Sequence, residues 1–443
     1  MPERSVAATA ADARVSLMDA GTVYADAGFE RISAGLRRED GHWAVQVDGV
    51  LMRSGFQPIY SLAHGRVVGH EALLRAESAA GDAVAPPVAL RGDGSFGDLL
   101  RGDRAARMIH ALNFAEMAPP AHWLFFNMQP QVFVALPRLV HDGFQASLME
   151  RSGLQGHQTV LEVLEDAVPA NVDFESGLRT ARASGCLIAI DDFGAGHSNF
   201  DRVWRLQPEI VKLDRSLVLR AAVVPQARRV VAQMVSLLHQ CGALVLMEGI
   251  ETPQEAYVAL DANADFVQGD LFARAAPALV PTDDAPQALT RLWDDFEQRR
   301  ADEQRNYRER LRPYLSAISA AAALLAGGHS LAAATSRFLQ LRRAEVCYLL
   351  DGDGRQIGDS EWASEQRHLA LASFAPMRDT AGANCGRRPY YRRALEGVGK
   401  VQVTRPYRTM HGAHLCITVS LAFRSAEGLR VVCGDVGWDA EAG

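Results

Sequence analysis

At 443 residues the chain exceeds the size at which one hydrophobic core stops growing, so one large and one small domain are expected. Its 48% hydrophobic content excludes a disordered chain, and its net charge of −7 argues against a partner such as a nucleic-acid polymer held on a broad basic surface. The six cysteines are scattered, with no C-x-x-C pair or tight Cys/His spacing for zinc, which suits a reducing, cytoplasmic setting.

Residues 1–46 are alanine-rich and weakly patterned, lack the apolar core of an export signal, and predict a helix or two at most. Between 47 and 280, short apolar runs at 56–62, 67–74, 123–127, 159–163, 187–191, 210–214, 244–248 and 266–268 alternate with helical patterns, which predicts a β/α barrel of the α/β class. Runs such as Leu187-Ile188-Ala189-Ile190 are apolar on both faces, as strands covered by helices outside and packed side chains inside should be. Residues 281–340 form a connector: a densely charged helix to about 312 with Leu289, Trp293, Phe296, Tyr307 and Leu311 near one face, then an alanine-rich pair broken at Gly327-Gly328. That break reads as helix, turn, helix, and no membrane span is expected. The aromatic stripe makes a homodimer contact one reading of the charged helix. Residues 341–443 predict a small α+β domain around an antiparallel sheet.

Polar residues that interrupt apolar strands are costly to bury without partners, so their positions carry the chemistry. Asn127, Glu162, Asp191, Asp192, Lys212, Asp214, Glu248 and Gln268 all lie in or at the ends of barrel runs, and strand C-termini converge on one rim. The acids Glu71, Glu162, Asp191, Asp192 and Glu248, with Asn127, would repel one another unless cations neutralised them. An all-oxygen set selects hard ions such as Mg²⁺ or Mn²⁺, and the adjacent Asp191 and Asp192 are suited to bridge two of them. Lys212 supplies a positive point charge for a developing oxyanion or an attacking hydroxide.

The segments Gln57-Pro58-Ile59-Tyr60 and Gly69-His70-Glu71-Ala72-Leu73-Leu74-Arg75 resemble the opening of EAL domains. Asn127-Met128-Gln129-Pro130, Leu161-Glu162-Val163-Leu164-Glu165, Asp191-Asp192-Phe193-Gly194-Ala195-Gly196-His197-Ser198, Lys212-Leu213-Asp214, Glu248-Gly249-Ile250-Glu251-Thr252 and Gln268-Gly269 follow in the family's order. The resemblance implies a modified TIM (β/α)8 barrel that hydrolyses cyclic di-GMP to linear pGpG with two divalent ions. It implies that Glu71, Asn127, Glu162 and Asp191 hold one ion, that Asp191 and Asp192 hold the second, and that Glu248 assists ion binding or proton transfer. Lys212 would orient the nucleophilic water and Gln268 its network, while Gln57, Arg75 and Asp214 would contact the dinucleotide. The loop from Phe193 through Gly194 and Gly196 to Asn199 resembles one that couples metal binding to dimerisation, anchored by a glutamate at the position of Glu251.

Gln129, Met247 and Asp270 depart from the family pattern without removing an expected ligand, and Asp270 adds negative charge at the rim. A lone Asp-Asp pair is more often a cap or salt-bridge partner, and His70 and His197 fit structural roles better than zinc ligation. The last hundred or so residues, with Arg388-Pro389-Tyr390-Tyr391-Arg392-Arg393 and Arg405-Pro406-Tyr407, resemble a PAS or Cache-type sensor fold, which implies dimerisation or an unidentified small ligand. Two rival functions remain: a silent EAL domain serving as a cyclic di-GMP receptor, and a barrel hydrolase acting on another phosphodiester or on sugars. Glycoside hydrolysis would leave the extra acids unexplained.

Overall fold

A computed structural model describes residues 27–438 apart from 92–93, 120, 140–141, 165–171, 197–199, 282–286, 364–379 and 409–414. It divides into two compact units, 1–296 and 297–443. The first unit contains strands β1 (Leu36–Glu39), β2 (His42–Val47), β3 (Val50–Ser61), β4 (Arg66–Glu77), β5 (Ala83–Val84), β6 (Trp123–Asn127), β7 (Thr159–Leu164), β8 (Leu187–Phe193), β9 (Ile210–Leu213), β10 (Leu244–Met247) and β11 (Phe266–Val267). Their order is β1-β2-β3-β11-β10-β9-β8-β7-β6-β4-β5, and β3 also pairs with β4, so β3, β4 and β6 to β11 close into an eight-stranded barrel.

Pairing is parallel from β4 through β6 to β11, while β3 runs antiparallel to both of its barrel neighbours. A β3–β4 hairpin explains the reversal, because consecutive strands joined by the short turn at 62–65 can only run in opposite directions. Ile59, Phe125, Val160, Ala189, Ile210, Leu246 and Phe266 fill the barrel interior as a separate cluster, and a larger apolar shell lies between strands and helices. This double burial is the physical reason the strands read as unbroken apolar runs.

Two features depart from expectation. Residues 36–47 form an antiparallel hairpin that continues the barrel sheet beyond β3. The charged helix does not stop near 312 but runs Gln287–Ala326 through Pro313. Both Pro313 and Glu309 are exposed, so water can serve the Glu309 carbonyl that proline leaves without its donor.

The second unit has β12 (Ala344–Leu350), β13 (Gln356–Trp362), β14 (Gln402–Val403), β15 (Tyr407–Arg408), β16 (Leu415–Ser425) and β17 (Gly428–Gly437), all paired antiparallel. One set of core residues joins this sheet to Ile318, Ala321 and Phe338 of the helices Gln287–Ala326 and Leu331–Leu339; another joins it to Tyr390 and Ala394 of the helix Pro389–Glu396. Among the described residues, no helix is long and apolar enough to cross a membrane.

Candidate active site

Glu71 lies within β4 and faces Gln57 across the antiparallel register with β3; Asn127 ends β6 opposite Glu162 of β7. Asp191 and Asp192 fall near the end of β8, Lys212 in β9, and Glu248 and Gln268 immediately follow β10 and β11. Side chains two apart share a strand face, so Arg75 follows Glu71 on the same side of β4, towards the rim.

At the centre the Lys212 ammonium, 1% exposed, contacts Glu162 and Glu248 at 2.5 Å each, Asp191 at 3.1 Å and Glu71 at 3.7 Å. Glu71 is fixed from two sides: Asn127 Nδ2 donates to Oε1 at 2.8 Å and Gln268 Nε2 donates to Oε2 at 2.7 Å. Gln268 also donates to Gln57 Oε1 at 3.1 Å, which ties both glutamines to the acid cluster.

The charges divide unevenly. Burial opposes ionisation of Glu71, but the Lys212 ammonium and the two amides outweigh it and hold its carboxyl below the usual range. Burial, then the Glu71 charge, pushes Glu162 well above its ordinary value. Burial also raises Glu248 to about 8 and lifts Asp192, the latter aided by the Asp191 charge. Burial works against the Lys212 ammonium, yet the carboxylates around it keep it charged far into the alkaline range. One lysine thus faces a set of five acids, of which Glu162, Glu248 and Asp192 resist ionisation without further cations, and Glu162 Oε2 and Gln268 Oε1 are buried without a hydrogen-bond partner among the described residues. Ligand oxygens of Glu71, Glu162 and Glu248, and of Asp191, Asp192 and Glu248, lie within 4.8 Å of one another. Several carboxyl groups crowded around one ammonium, orphaned oxygens and an all-oxygen donor set fit hard divalent cations.

Over this cluster opens a cleft of about 220 Å³ lined by Gln57, Glu71, Arg215, Glu248, Glu251, Gln268 and Asp270, among others. Asp270 contacts Gln57 Nε2 at 3.4 Å and pairs with Arg274 at 3.1 Å. Arg215, which the motif reading passed over, pairs with Glu251 at 2.6 Å; its only signal was its place directly after Lys212-Leu213-Asp214. Arg75 and Asp214 are not among the cleft's lining residues. Arg75 donates to the Leu74 carbonyl at 3.3 Å, and Asp214 caps the helix Arg215–Val223 by accepting from Ser216 N at 3.0 Å.

In the loop after β8, Phe193 is fully buried against Phe200, and Gly194 has φ +101° with Leu217 Cδ1 only 2.1 Å from where a Cβ would stand. Only glycine fits there. Gly196 is exposed, and residues 197–199 of this loop, including His197, lie outside the described residues, as does Glu165. His70 is buried on the opposite face of β4 from Glu71. Burial lowers its pKa to about 3, and its Nε2 accepts from Val280 N, a structural role.

The protein named cyclic di-GMP phosphodiesterase RocR, from Pseudomonas aeruginosa, is 29% identical over 164 residues, 37% of this chain and 41% of that protein. The blue light- and temperature-regulated antirepressor BluF of Escherichia coli is 26% identical over 230 residues, 51% of this chain and 55% of that one. The chain therefore spans only about half the length, or less, of these curated relatives. The structure of Bacillus subtilis YkuI, a protein with an EAL domain in complex with substrate c-di-GMP and calcium, superposes with a TM-score of 0.74 at 18% identity. It covers 88% of this chain and 96% of that one, a likeness of fold. The EAL domain profile matches residues 48–275, more than half of the molecule and all of the cluster described above, and the chain belongs to the EAL domain family.

Proposed function

We propose that the barrel is a metal-dependent phosphodiesterase that opens cyclic di-GMP to linear pGpG, using two ions of the Mg²⁺ or Mn²⁺ kind. The observation that carries this is the crowding of buried carboxyl groups around Lys212 beneath an open cleft. Family membership supports it, as does a relative named for this activity. Glu71, Asn127, Glu162, Asp191, Asp192 and Glu248 would hold the ions, which when bound would supply Lewis acidity towards water and phosphodiester.

The chain's own groups do the rest. Asn127 and Gln268 clamp Glu71 so that its lone pairs point in fixed directions. Lys212 stays protonated and presents positive charge to an incoming water or a developing phosphorane. Glu248, 2.5 Å from Lys212, would assist in holding an ion or in moving a proton at the leaving oxygen. Gln57 and Asp270 at the cleft wall would meet the dinucleotide, with Arg75 and Asp214 closer to the rim. The Gly194 and Gly196 loop, together with Glu251 and its partner Arg215, would adjust the second ion position.

A second reading, a receptor that binds without turnover, is favoured by the likeness to a relative named as an antirepressor. One assay separates them. Purified protein with Mn²⁺ should convert cyclic di-GMP to pGpG, chelator should stop it, and Glu71→Ala or Asp191→Ala should abolish it. Tight binding with no pGpG would establish the receptor. We read the second unit as a PAS- or Cache-like regulatory attachment, supported by its antiparallel sheet between helices. Truncation after Phe296 should change the rate and leave ion binding intact.

A further inference from the structure

Among the described residues, the carboxyl groups that line the cleft over the acid cluster are those of Glu71, Glu248, Glu251 and Asp270. Glu71 and Glu248 face Lys212, and Glu251 pairs with Arg215. Asp270 takes no part in either arrangement. It stands at the far end of a chain of amides that begins at the cluster: Gln268 Nε2 donates to Glu71 Oε2 at 2.7 Å and to Gln57 Oε1 at 3.1 Å, and Gln57 Nε2 reaches Asp270 Oδ1 at 3.4 Å. Arg274, 84% exposed, meets the other Asp270 oxygen from the solvent side at 3.1 Å.

This carboxylate is held in place from below. Gln57 is fixed at both ends of its amide, since Nε2 also donates to the Ala273 carbonyl at 3.2 Å. The backbone around Asp270 is pinned to the turn after β10: Ile250 N donates to Gln268 O at 3.1 Å, and Leu271 N donates to Ile250 O at 3.0 Å. At Gly269 a Cβ would stand 2.1 Å from Ile250 O, so only glycine lets the two segments lie so close. Each oxygen of a carboxylate offers two lone-pair sites, and the contacts to Gln57 and Arg274 leave capacity on both. Asp270, with 42% of its side chain exposed, therefore keeps acceptors free at the cleft wall.

We infer that Asp270 selects the base of the dinucleotide by accepting from the N1–H and N2–H₂ groups of one guanine, an inference that rests on the reading of the barrel as a cyclic di-GMP site. A cyclic dinucleotide offers a wall residue phosphate oxygens, ribose hydroxyls and base edges. An anion repels the first. The reacting phosphate belongs at the acid cluster, and Asp270, linked to Glu71 only through Gln57 and Gln268, suits a group one sugar removed from that phosphorus. Guanine presents two parallel donors on its Watson–Crick edge, which match the two oxygens of a carboxylate in a strong, directional pair. Adenine carries an acceptor at N1 and would set lone pair against lone pair, so the group that attracts guanine also rejects adenine.

Steady-state hydrolysis by the full chain with Mn²⁺ tests the inference, with cyclic di-GMP as substrate and cyclic di-AMP both as substrate and as competing inhibitor. Wild type should prefer cyclic di-GMP by about tenfold or more. Asp270→Ala should lower kcat/KM for cyclic di-GMP by about tenfold, chiefly through KM, and leave cyclic di-AMP unchanged or improved. Asp270→Asn keeps the shape and sets one donor beside one acceptor, the pattern that pairs with adenine, so it should move the preference towards cyclic di-AMP. The Asn variant carries the test should the Ala variant fail to fold. The Mn²⁺ concentration for half-maximal rate should be the same in wild type and both variants. Equal losses on the two dinucleotides, as a ribose contact would give, or an unmoved preference in the Asn variant, overturn the inference and leave the phosphodiesterase reading standing. So does a change confined to the Mn²⁺ dependence. Wild type that neither opens nor binds cyclic di-GMP overturns both, whereas binding without turnover leaves the same comparison to be read in dissociation constants.

Discussion

At the barrel mouth Glu71, Glu162, Asp191 and Glu248 crowd around a single ammonium, Lys212. In the second unit Asp435 lies equally deep with no cation among its described neighbours: Thr418 Oγ1 donates to it at 2.7 Å and Tyr348 Oη approaches at 3.5 Å. Burial raises Asp435 to about 7 despite those hydroxyls, so the carboxyl keeps its proton at mild pH and needs no counter-ion. Glu71, by contrast, stays ionised because Lys212 and two amides face it. A protein interior can therefore hold carboxyl groups in two ways: as neutral donors and acceptors within a closed network, or as charge awaiting cations beneath an open cleft. Only the second arrangement suits ion chemistry.

The sharpest way to break this contrast is to remove the ammonium. Lys212→Ala should lower turnover of cyclic di-GMP by about 10²-fold or more and destabilise the metal-free barrel by roughly 3–5 kcal/mol. Single-turnover rates and urea melts in chelator read the two effects. An unchanged melt would show that the acids do not depend on Lys212.

Asp435 should respond to pH instead. Its folded pKa of about 7 lies above the ordinary unfolded value of about 3.9, so the folded state holds the proton more tightly. Stability is full below about pH 4, is lost as pH rises towards 7, and levels off above, with an upper limit of roughly 4 kcal/mol. Asp435→Asn cannot titrate. In urea melts of the full chain, the stability of the Asn variant relative to wild type should rise across that window, and a pH-independent difference would sink the account.

A smaller effect is expected at Glu162, where burial and neighbouring charge disfavour ionisation. Glu162→Gln should stabilise the metal-free barrel by about 1 kcal/mol and reduce the rise in melting temperature that Mn²⁺ gives wild type. The weakest is the Arg215–Glu251 pair, both partners 44% exposed. A double-mutant cycle on stability should return about 0.5 kcal/mol, falling with salt. A much larger coupling would mean the pair is braced by the loop after β8.

The barrel and its acids were legible because function places polar residues at the ends of runs that packing otherwise keeps apolar: Asn127 after Phe126, Glu248 after Met247, Gln268 after Val267. The β1–β2 hairpin was missed although its signal was present. Asp40-Gly41 and Asp48-Gly49 both adopt positive φ, the pairing that tight hairpin turns require, but Leu36-Arg37-Arg38-Glu39 shows no alternation to mark a strand. Asp214 illustrates a converse limit: a motif position does not reveal that its carboxylate is engaged in capping a helix. The second unit's cleft, lined among others by Arg310, Arg342 and Trp438, could not be read at all, since those residues come from segments far apart, whereas the basic run at Arg387, Arg388, Arg392 and Arg393 is exposed.

The hairpin that extends the barrel sheet leaves β1 as its outermost strand, with no further strand partner among the described residues. Open backbone donors and acceptors on such a border invite another polypeptide to zip on, which is how soluble sheets seed aggregates. Here the border reads Leu36-Arg37-Arg38-Glu39, with Arg37 bound to Glu39 at 2.7 Å and Arg38 engaged by Glu116. Adding a strand from a second copy would crowd two such rows of paired charges together, which guards this border, among the described residues, against strand addition.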